Sequence, residues 1–292
     1  MLGGMTQQSG MRFGIAGAGR LGGALAVGLH AAGYEVVAVS SRRLDAAEAI
    51  AMLTGAAAET SPQAVADVAD VVLITTADGV VAEVCSGIRW RPGQAAVHCS
   101  GVLSLDALAA AREAGALAGC LHPLQSFPRG AADAGRFLGI TFGVEGDGDL
   151  GGRLEAVACA LGANVVRLDG VDRALYHASA ILASNDVVAL AAAATRAWTL
   201  AGLPREAARA ALGPLLLGVA GNVATRELTE ALTGPLARGD IGTVERHLVA
   251  LSADPALQDL YRRLAGELLR LPLGHTSEVS ERLYALLDAP DT

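Results

Sequence analysis

Short apolar runs alternate with amphipathic segments through the first 170 residues of the chain. The apolar runs are RFGIAG, EVVAVS, ADVVLITT, QAAVHCS, GALAGCLH, GITFGVEG and NVVRLDG, and each has the length of one buried strand. Segments with helical spacing, such as RLGGALAVGLHAAG and LDAAEAIAMLTG, lie between them. Strands that alternate with helices predict an α/β domain with a parallel, doubly wound sheet.

The strand pattern ends near residue 170, and the apolar positions that follow have helical spacing. The segment DRALYHASAILASNDVVALAAAATRAWTLAG predicts one long helix, and Pro204 begins the next at a position where a helix tolerates proline. We therefore predict an α/β domain over residues 11–170 and an all-helical domain over residues 171–292. Residues 1–10 lack a basic start and an apolar run, so we expect a disordered extension and no signal peptide.

A glycine-rich turn joins the first predicted strand to the first helix. Gly17, Gly19 and Gly22 form G-x-G-x-x-G in the strand–helix context that dinucleotide-binding folds require. The N–H groups at the start of such a helix bind phosphate, and the glycines let the backbone approach the pyrophosphate. We predict a cofactor site formed by Gly17, Ala18, Gly19, Arg20, Leu21 and Gly22.

The end of the second predicted strand lacks the acid that would bind the ribose 2′-hydroxyl of NAD. It carries Ser40, Ser41, Arg42 and Arg43 instead. Arginine and serine bind a 2′-phosphate, whereas a carboxylate would repel it. The loop therefore favours NADP(H) over NAD(H), and also over the methyltransferase cofactor, which wants an acid at this position. The alternative is an ordinary solvated loop.

Polar residues cluster where further strands end, which is where ligands bind in such sheets. Thr75, Thr76, Asp78 and Ser100 are predicted to contact the cofactor, with Asp78 also able to cap a helix. His122 is predicted to bind or polarise substrate, and Gln125 to contact it. His98 lies inside a strand and is predicted to belong to the core.

The helical domain contributes a second polar group. His177, Ser184 and Asn185 have the spacing of one helix face, which would form either a buried network or the wall of a cleft. His177 is the predicted acid/base and Asn185 an orienting amide. Arg238 and Asp240 are predicted to contact substrate, although Asp240 could serve only as a helix N-cap. His247 is predicted to be structural.

Composition excludes several functions. The chain has a formal net charge of −8 and no lysine among its 22 basic residues, so lysine Schiff-base chemistry is not available. An acidic chain without a basic stripe is not expected to bind nucleic acid. The apolar stretch VVALAAAATRAWTLAGL contains Arg196 and is too short for a membrane span. Four cysteines without C-x-x-C spacing predict reduced thiols, no metal site and a cytoplasmic location.

The motifs GAGRLG, CSG, LHPLQSF, LYHASAILASN and LTGPLARGD together resemble a group of predicted NADP oxidoreductases. These join a Rossmann-like domain to a C-terminal helical domain of unknown function, similar to that of 6-phosphogluconate dehydrogenase. Ketopantoate reductase, pyrroline-5-carboxylate reductase and deazaflavin-dependent NADP reductases are relatives of the group. The resemblance, which begins at Met11, implies an NADP site in a cleft between the domains and a homodimer formed through the helices. Some relatives use a lysine on the first long helix, where this chain offers His177.

The function predicted from the sequence is an NADP(H)-dependent oxidoreductase for a small polar carbonyl, imine or hydroxy metabolite. Histidine suits the proton transfer because it titrates near neutral pH. Two alternatives remain open. The first is an NADP(H)-binding sensor or scaffold without catalysis, and the second is hydride exchange between a deazaflavin and NADP.

Overall fold

The computed structural model describes residues 10–127 and 133–288 of the chain. The chain forms two compact units, of which the first ends at Ser184 and the second begins at Asn185. Of the extension predicted at residues 1–10, residues 1–9 lie outside the described residues.

Within the described residues, the first unit contains an eight-stranded sheet. Its strands are β1 (Arg12–Ala16), β2 (Glu35–Ser40), β3 (Ala57–Glu59), β4 (Val71–Ile74), β5 (Ala95–His98), β6 (Leu117–Pro123), β7 (Thr141–Gly146) and β8 (Asn164–Arg167). They lie in the order β3-β2-β1-β4-β5-β6-β7-β8. The pair β6 and β7 is antiparallel, and the other neighbours are parallel. The predicted Rossmann-like, doubly wound α/β fold is confirmed, with β3 and the reversal at β7 as features that the pattern did not predict.

Helices cover both faces of this sheet. They are α1 (Arg20–Ala31), α2 (Leu44–Thr54), α3 (Pro62–Val68), α4 (Val81–Ser86), α5 (Ala109–Glu113), α6 (Leu150–Ala160) and α7 (Arg173–Leu182). Along β4, Val71 and Leu73 pack into one hydrophobic cluster, while Val72 and Ile74 pack into another. Because both faces are covered, the strands consist of continuous apolar runs.

The predicted long helix after residue 171 is interrupted. Asp172 caps α7 by accepting hydrogen bonds from the N–H groups of Ala174 and Leu175, at 2.9 and 3.0 Å. The helix ends at Leu182, and a two-residue turn at residues 183–184 precedes the next helix. The first compact unit includes α7 and ends at Ser184, whereas the sequence predicted a domain boundary after residue 170.

The second unit contains helices and loops but no strand among its described residues. Its helices are α8 (Asn185–Leu200), α9 (Arg205–Thr225), α10 (Leu228–Ala231), α11 (Pro235–Arg238), α12 (Ile241–Leu251), α13 (Pro255–Leu269) and α14 (Ser277–Asp288). The all-helical C-terminal domain is thus confirmed. Its core consists of Leu236, Val244, Leu248, Ala265, Leu283 and Leu287.

Two long apolar helical stretches contribute little to this core. Arg173–Leu200 and Arg205–Thr225 are long and apolar enough to cross a membrane by length and composition, and little of either stretch is buried. Leu182, Val188 and Leu217, for example, are more than half exposed. Length and composition are weak evidence of a membrane span, because long apolar helices of other proteins pass the same test.

Candidate functional site

The glycine-rich turn lies at the carboxyl end of β1 and leads directly into α1. The N–H groups of Gly17 and Ala18 donate to the Ser40 carbonyl at the end of β2, at 2.9 and 3.1 Å. Gly17 has a φ of +124°, which other residues rarely adopt. The Thr75 hydroxyl, just after β4, donates to the Gly17 carbonyl at 2.7 Å. The turn is therefore held by both strands that flank β1.

The three glycines of the turn have different surroundings. A Cβ atom on Gly22 would lie 2.0 Å from the Gly17 carbonyl oxygen, and a Cβ atom on Gly17 would lie 3.0 Å from Thr75 Oγ1. A Cβ atom on Gly19 would meet no atom within 4 Å. The fold therefore requires Gly17 and Gly22, whereas Gly19 borders open space in which a phosphate could approach the backbone.

The start of α1 offers anion-binding groups beside this open space. The helix begins at Arg20 with Gly19 as its N-cap, and no side chain caps its first turn. Its first N–H groups are thus available to a phosphate. The buried Thr76 Oγ1 beside the turn has no hydrogen-bond partner among the residues described. This arrangement fits the pyrophosphate of a dinucleotide.

The loop after β2 carries an ion pair that the sequence did not predict. Arg43 Nε donates to Asp45 Oδ1 at 3.2 Å, and Arg43 lowers the pKa of this carboxyl. Ser41 Oγ accepts a hydrogen bond from the Arg43 N–H at 3.2 Å. Ser40 is buried, and Arg42 is exposed. Of the two arginines in this loop, Arg43 is paired with a carboxylate and Arg42 is not, within the described part of the chain.

The residues that follow β4 and β5 take local structural roles. Asp78 begins a short 3₁₀ turn whose N-cap is Ala77, so the prediction that Asp78 caps the next helix is wrong. Ser100 is buried, and its Oγ accepts hydrogen bonds from the N–H groups of Val102 and Leu103, at 3.3 and 3.2 Å. Its own hydroxyl proton can still be donated.

His122 lies near the carboxyl end of β6 and contacts α7. Its Nδ1 lies 2.9 Å from the Tyr176 hydroxyl, and the two rings meet edge to face. The pKa of His122 is lowered to about 4, mainly by burial and then by the nearby His177 and Arg173. His122 is therefore a neutral imidazole at physiological pH. Burial also raises the pKa of Tyr176 to about 12, so its hydroxyl stays protonated.

His177 of α7 lies beside His122, and their ring centroids are 6.0 Å apart. Gly101 lies between the two rings. A Cβ atom on Gly101 would be 2.6 Å from His177 Nδ1 and 2.9 Å from His122 Nε2. The buried Nδ1 of His177 has no hydrogen-bond partner among the described residues. The two nitrogens thus converge on one small region at the edge of the sheet.

A buried arginine on α7 fixes the surroundings of these histidines. The guanidinium of Arg173 donates to the Ser100 carbonyl at 3.0 Å and to Cys120 Sγ at 3.0 Å, and it lies 3.3 Å from Glu145. Burial raises the pKa of Cys120 to about 11, although Arg173 opposes this shift. His98 is fully buried, as predicted, and burial followed by the charge of Arg173 lowers its pKa to about 4.

The other predicted site residues have local surroundings of their own. Gln125 is exposed, and its Oε1 accepts a hydrogen bond from the neighbouring Ser126 N–H. Ser184 lies in the turn after α7 and Asn185 begins α8, so the prediction of one uninterrupted helix face with His177 is wrong. Arg238 is exposed at the end of α11.

Asp240 has the structural role that the sequence left open. It is the N-cap of α12, and its Oδ1 accepts a hydrogen bond from the Thr243 N–H at 3.0 Å. His247 Nδ1 lies 3.0 Å from the Tyr261 hydroxyl, within the second unit. In the two described ranges, no group of three or more His, Cys, Asp or Glu residues could hold a metal ion.

Sequence reasoning missed Arg173, Tyr176 and Gly101. The first two, with His177, occupy positions i, i+3 and i+4 of the segment RALYH, which is the spacing of one helix face. That spacing was the available signal. No signal in the sequence indicated the role of Gly101, because this role depends on two rings from distant parts of the chain.

Two family models match the chain. Residues 12–100 match the model described as NADP oxidoreductase, coenzyme F420-dependent, and residues 140–268 match a domain of unknown function, DUF2520. The chain thus combines a match to an NADP oxidoreductase domain with a match to a DUF2520 domain. The resemblance seen in the sequence motifs is thereby confirmed. The comparison with curated proteins finds no match.

Solved structures share this architecture. A candidate NADP oxidoreductase of Bacteroides fragilis has 27% identity and a TM-score of 0.70, covering 88% of this chain and 97% of its own. Protein TM1727 of Thermotoga maritima has 27% identity and a TM-score of 0.66, covering 92% and 98%. A 1-pyrroline-5-carboxylate reductase of Streptococcus pyogenes has 19% identity and a TM-score of 0.62, covering 95% and 97%, and shares the fold.

Proposed function

We propose that the protein is an NADP(H)-dependent oxidoreductase that acts on a small polar carbonyl, imine or hydroxy metabolite. The observation that carries the proposal is the convergence of His122 Nε2 and His177 Nδ1 beside Gly101, in the same unit as the glycine-rich turn. The strands β1, β4, β5 and β6 are consecutive and parallel, so their carboxyl ends share one edge of the sheet. A dinucleotide bound at the turn after β1 would extend along this edge.

In this proposal the bound NADPH supplies a hydride, and the chain handles the accompanying proton. His177 exchanges that proton with the substrate heteroatom, since the two ring nitrogens of imidazole can donate and accept a proton. His122 is neutral and polarises the same heteroatom by a hydrogen bond from Nε2. Asn185 is proposed to orient the substrate, and Arg238 is proposed to bind its anionic group. Gln125, Ser184 and Asp240 are the remaining proposed substrate contacts.

The proposal assigns NADP(H) as the preferred nucleotide. Arg42 is exposed and has no paired carboxylate among the described residues, whereas the charge of Arg43 is offset by Asp45. We expect Arg42→Ala to weaken NADPH binding by about 1–3 kcal/mol, the worth of a charged hydrogen bond, and to leave NADH binding almost unchanged. Arg43→Ala is the matched control and should have the smaller effect in a calorimetric titration. Equal affinities of the wild-type protein for NADPH and NADH would contradict the assignment.

The central test is His177→Ala. We expect NADPH affinity to stay within about twofold and turnover to fall by roughly 10²–10⁴, the usual effect of losing a positioned acid. Turnover is measured as NADPH oxidation across a panel of small carbonyls and imines. His247→Ala is a control, since His247 lies in the second unit and is not a proposed site residue. Nucleotide binding without turnover of any panel member would favour the sensor or scaffold alternative.

The match of residues 12–100 to a coenzyme F420-dependent family favours one second candidate, hydride exchange between a reduced deazaflavin and NADP. The exchange is measured as the return of the visible absorbance of the oxidised deazaflavin after NADP is added. Rapid exchange without reduction of any carbonyl or imine would replace the first proposal with this one. No exchange, with turnover of a panel member, would exclude it.

A further inference from the structure

The hydrogen bond between His122 and Tyr176 has a consequence for the protons of the histidine pair. Imidazole has two neutral forms, and the partner of one ring nitrogen determines which form is present. The Tyr176 hydroxyl stays protonated and needs an acceptor. Among the described residues, His122 Nδ1 lies within hydrogen-bond distance of this hydroxyl, at 2.9 Å. Both groups are satisfied when the hydroxyl donates and Nδ1 carries no proton.

The opposite arrangement is less favourable. If Nδ1 carried the proton and donated to Tyr176, the phenol hydroxyl would face apolar surroundings. A Cβ atom on Gly143 would lie 2.4 Å from the Tyr176 hydroxyl oxygen and 2.6 Å from the Leu168 side chain, so these groups pack closely together. A hydroxyl without an acceptor in such a place loses the free energy of a hydrogen bond. The surroundings of Tyr176 therefore favour donation to His122.

Two glycines make this arrangement possible. Gly143 is the direct cross-strand partner of His122 in the antiparallel pair β6 and β7, and its missing side chain leaves room for the Tyr176 hydroxyl. Gly101 leaves room for the two imidazole rings on the other side of His122. His122 is thus held between Tyr176 at Nδ1 and the region shared with His177 at Nε2.

We propose that Tyr176 is a positioning residue which holds His122 in its Nε2–H form, so that this N–H and His177 Nδ1 face one substrate heteroatom together. The identity of that heteroatom rests on the proposed function. The position of the proton on His122 is argued from the contacts of Tyr176 alone. One donor and one unpartnered ring nitrogen suit a carbonyl oxygen, an imine nitrogen or a hydroxyl, each of which exchanges a proton during the reaction.

The decisive experiment is ¹⁵N NMR of histidine-labelled protein near pH 7.5, with the His122 signals assigned through His122→Gln. The wild-type spectrum should show an unprotonated Nδ1 and a protonated Nε2 for His122. Tyr176→Phe keeps the ring against Gly143 but removes the hydroxyl, so the two neutral forms should become mixed. A wild-type His122 that carries its proton on Nδ1, or one whose spectrum does not respond to Tyr176→Phe, would overturn the proposal.

Tyr261→Phe provides a matched control. Tyr261 pairs with His247 Nδ1 at 3.0 Å and edge to face, as Tyr176 pairs with His122, but in the second unit. Tyr261→Phe should change the spectrum of His247 and leave the spectrum of His122 unchanged. In turnover assays, Tyr176→Phe should lower kcat about tenfold or more with little change in NADPH binding, while Tyr261→Phe should have no effect.

The two readouts separate the proposals. If the NMR result is as expected but no substrate is turned over, the positioning role stands and the proposed function fails. If a substrate is turned over and Tyr176→Phe is as active as the wild type, the proposed function stands and the positioning role fails. Thermal melting of each variant confirms that a loss of activity does not come from unfolding.

Discussion

Gly101→Ala tests the histidine pair with the smallest possible change. Gly101 is not among the glycines with positive φ, so alanine introduces no backbone strain there. Its Cβ atom would lie 2.6 Å from His177 Nδ1 and 2.8 Å from His122 Cε1. Non-bonded heavy atoms prefer separations of about 3.5 Å, so the His177 ring must retreat by about 0.9 Å and the His122 ring by about 0.7 Å.

The expected effect follows from this displacement. A shift of about 1 Å in a catalytic group can cost roughly 10²-fold in rate, so we expect Gly101→Ala to lower kcat by a factor of this order. Overpacking should destabilise the fold by about 1–3 kcal/mol, which leaves the protein folded at room temperature if its stability is ordinary. NADPH affinity should stay within about twofold, because the glycine-rich turn follows β1 and Gly101 follows β5.

The assay is steady-state NADPH oxidation with the best substrate of the panel, together with nucleotide titration and urea unfolding. Gly266→Ala in α13 is the control, since a Cβ atom there meets no atom within 4 Å. The double variant with His177→Ala should lose little more than His177→Ala alone, because both changes disable the same pair. Full activity in a folded Gly101→Ala protein, or strictly additive losses, would refute the reasoning.

Three further predictions concern the cofactor, pH and assembly. Gly19→Val should abolish NADPH binding in a titration while the melting temperature stays close to that of the wild type, because its side chain enters open space beside the turn; normal binding would show that phosphate lies elsewhere. His98 and His122 have pKa values of about 4 in the folded protein, below the ordinary 6.5, so the unfolded chain binds more protons between these values. The free energy of unfolding should therefore fall as pH drops from about 6.5 to 4, by at most ~3 kcal/mol per histidine, and His122→Gln should reduce that slope in urea titrations; a slope unchanged in this variant would argue against a buried neutral His122. We also propose that the exposed apolar faces of α8 and α9 are covered in a homodimer, so light scattering at micromolar concentration should give twice the chain mass; a monomer, or protein that binds lipid vesicles, would contradict this.

Local pattern was sufficient for seven of the eight strands of the first unit, all except β3, because each depends on neighbours in the chain. The runs from RFGIAG to NVVRLDG became strands, since continuous apolar residues require cover on both faces. The roles of Gly17 and Gly22 could be predicted because a tight turn and a close helix approach leave no room for a side chain. The reversed direction of β7 and the break after α7 could not be predicted, because both depend on packing partners that lie far away in the sequence.

By itself, the sequence determined the doubly wound sheet, the phosphate-binding turn and the absence of lysine chemistry, since these follow from periodicity, glycine spacing and composition. Only the tertiary structure decided that His122 meets Tyr176 and His177, because β6 and α7 are separated by about fifty residues and are joined only by the folded sheet. It also decided that Asp45 offsets Arg43 and that Gly101 and Gly143 make room for the rings. Side-chain chemistry can be read from the chain, but the proximity of two side chains depends on the packing of elements that are distant in sequence.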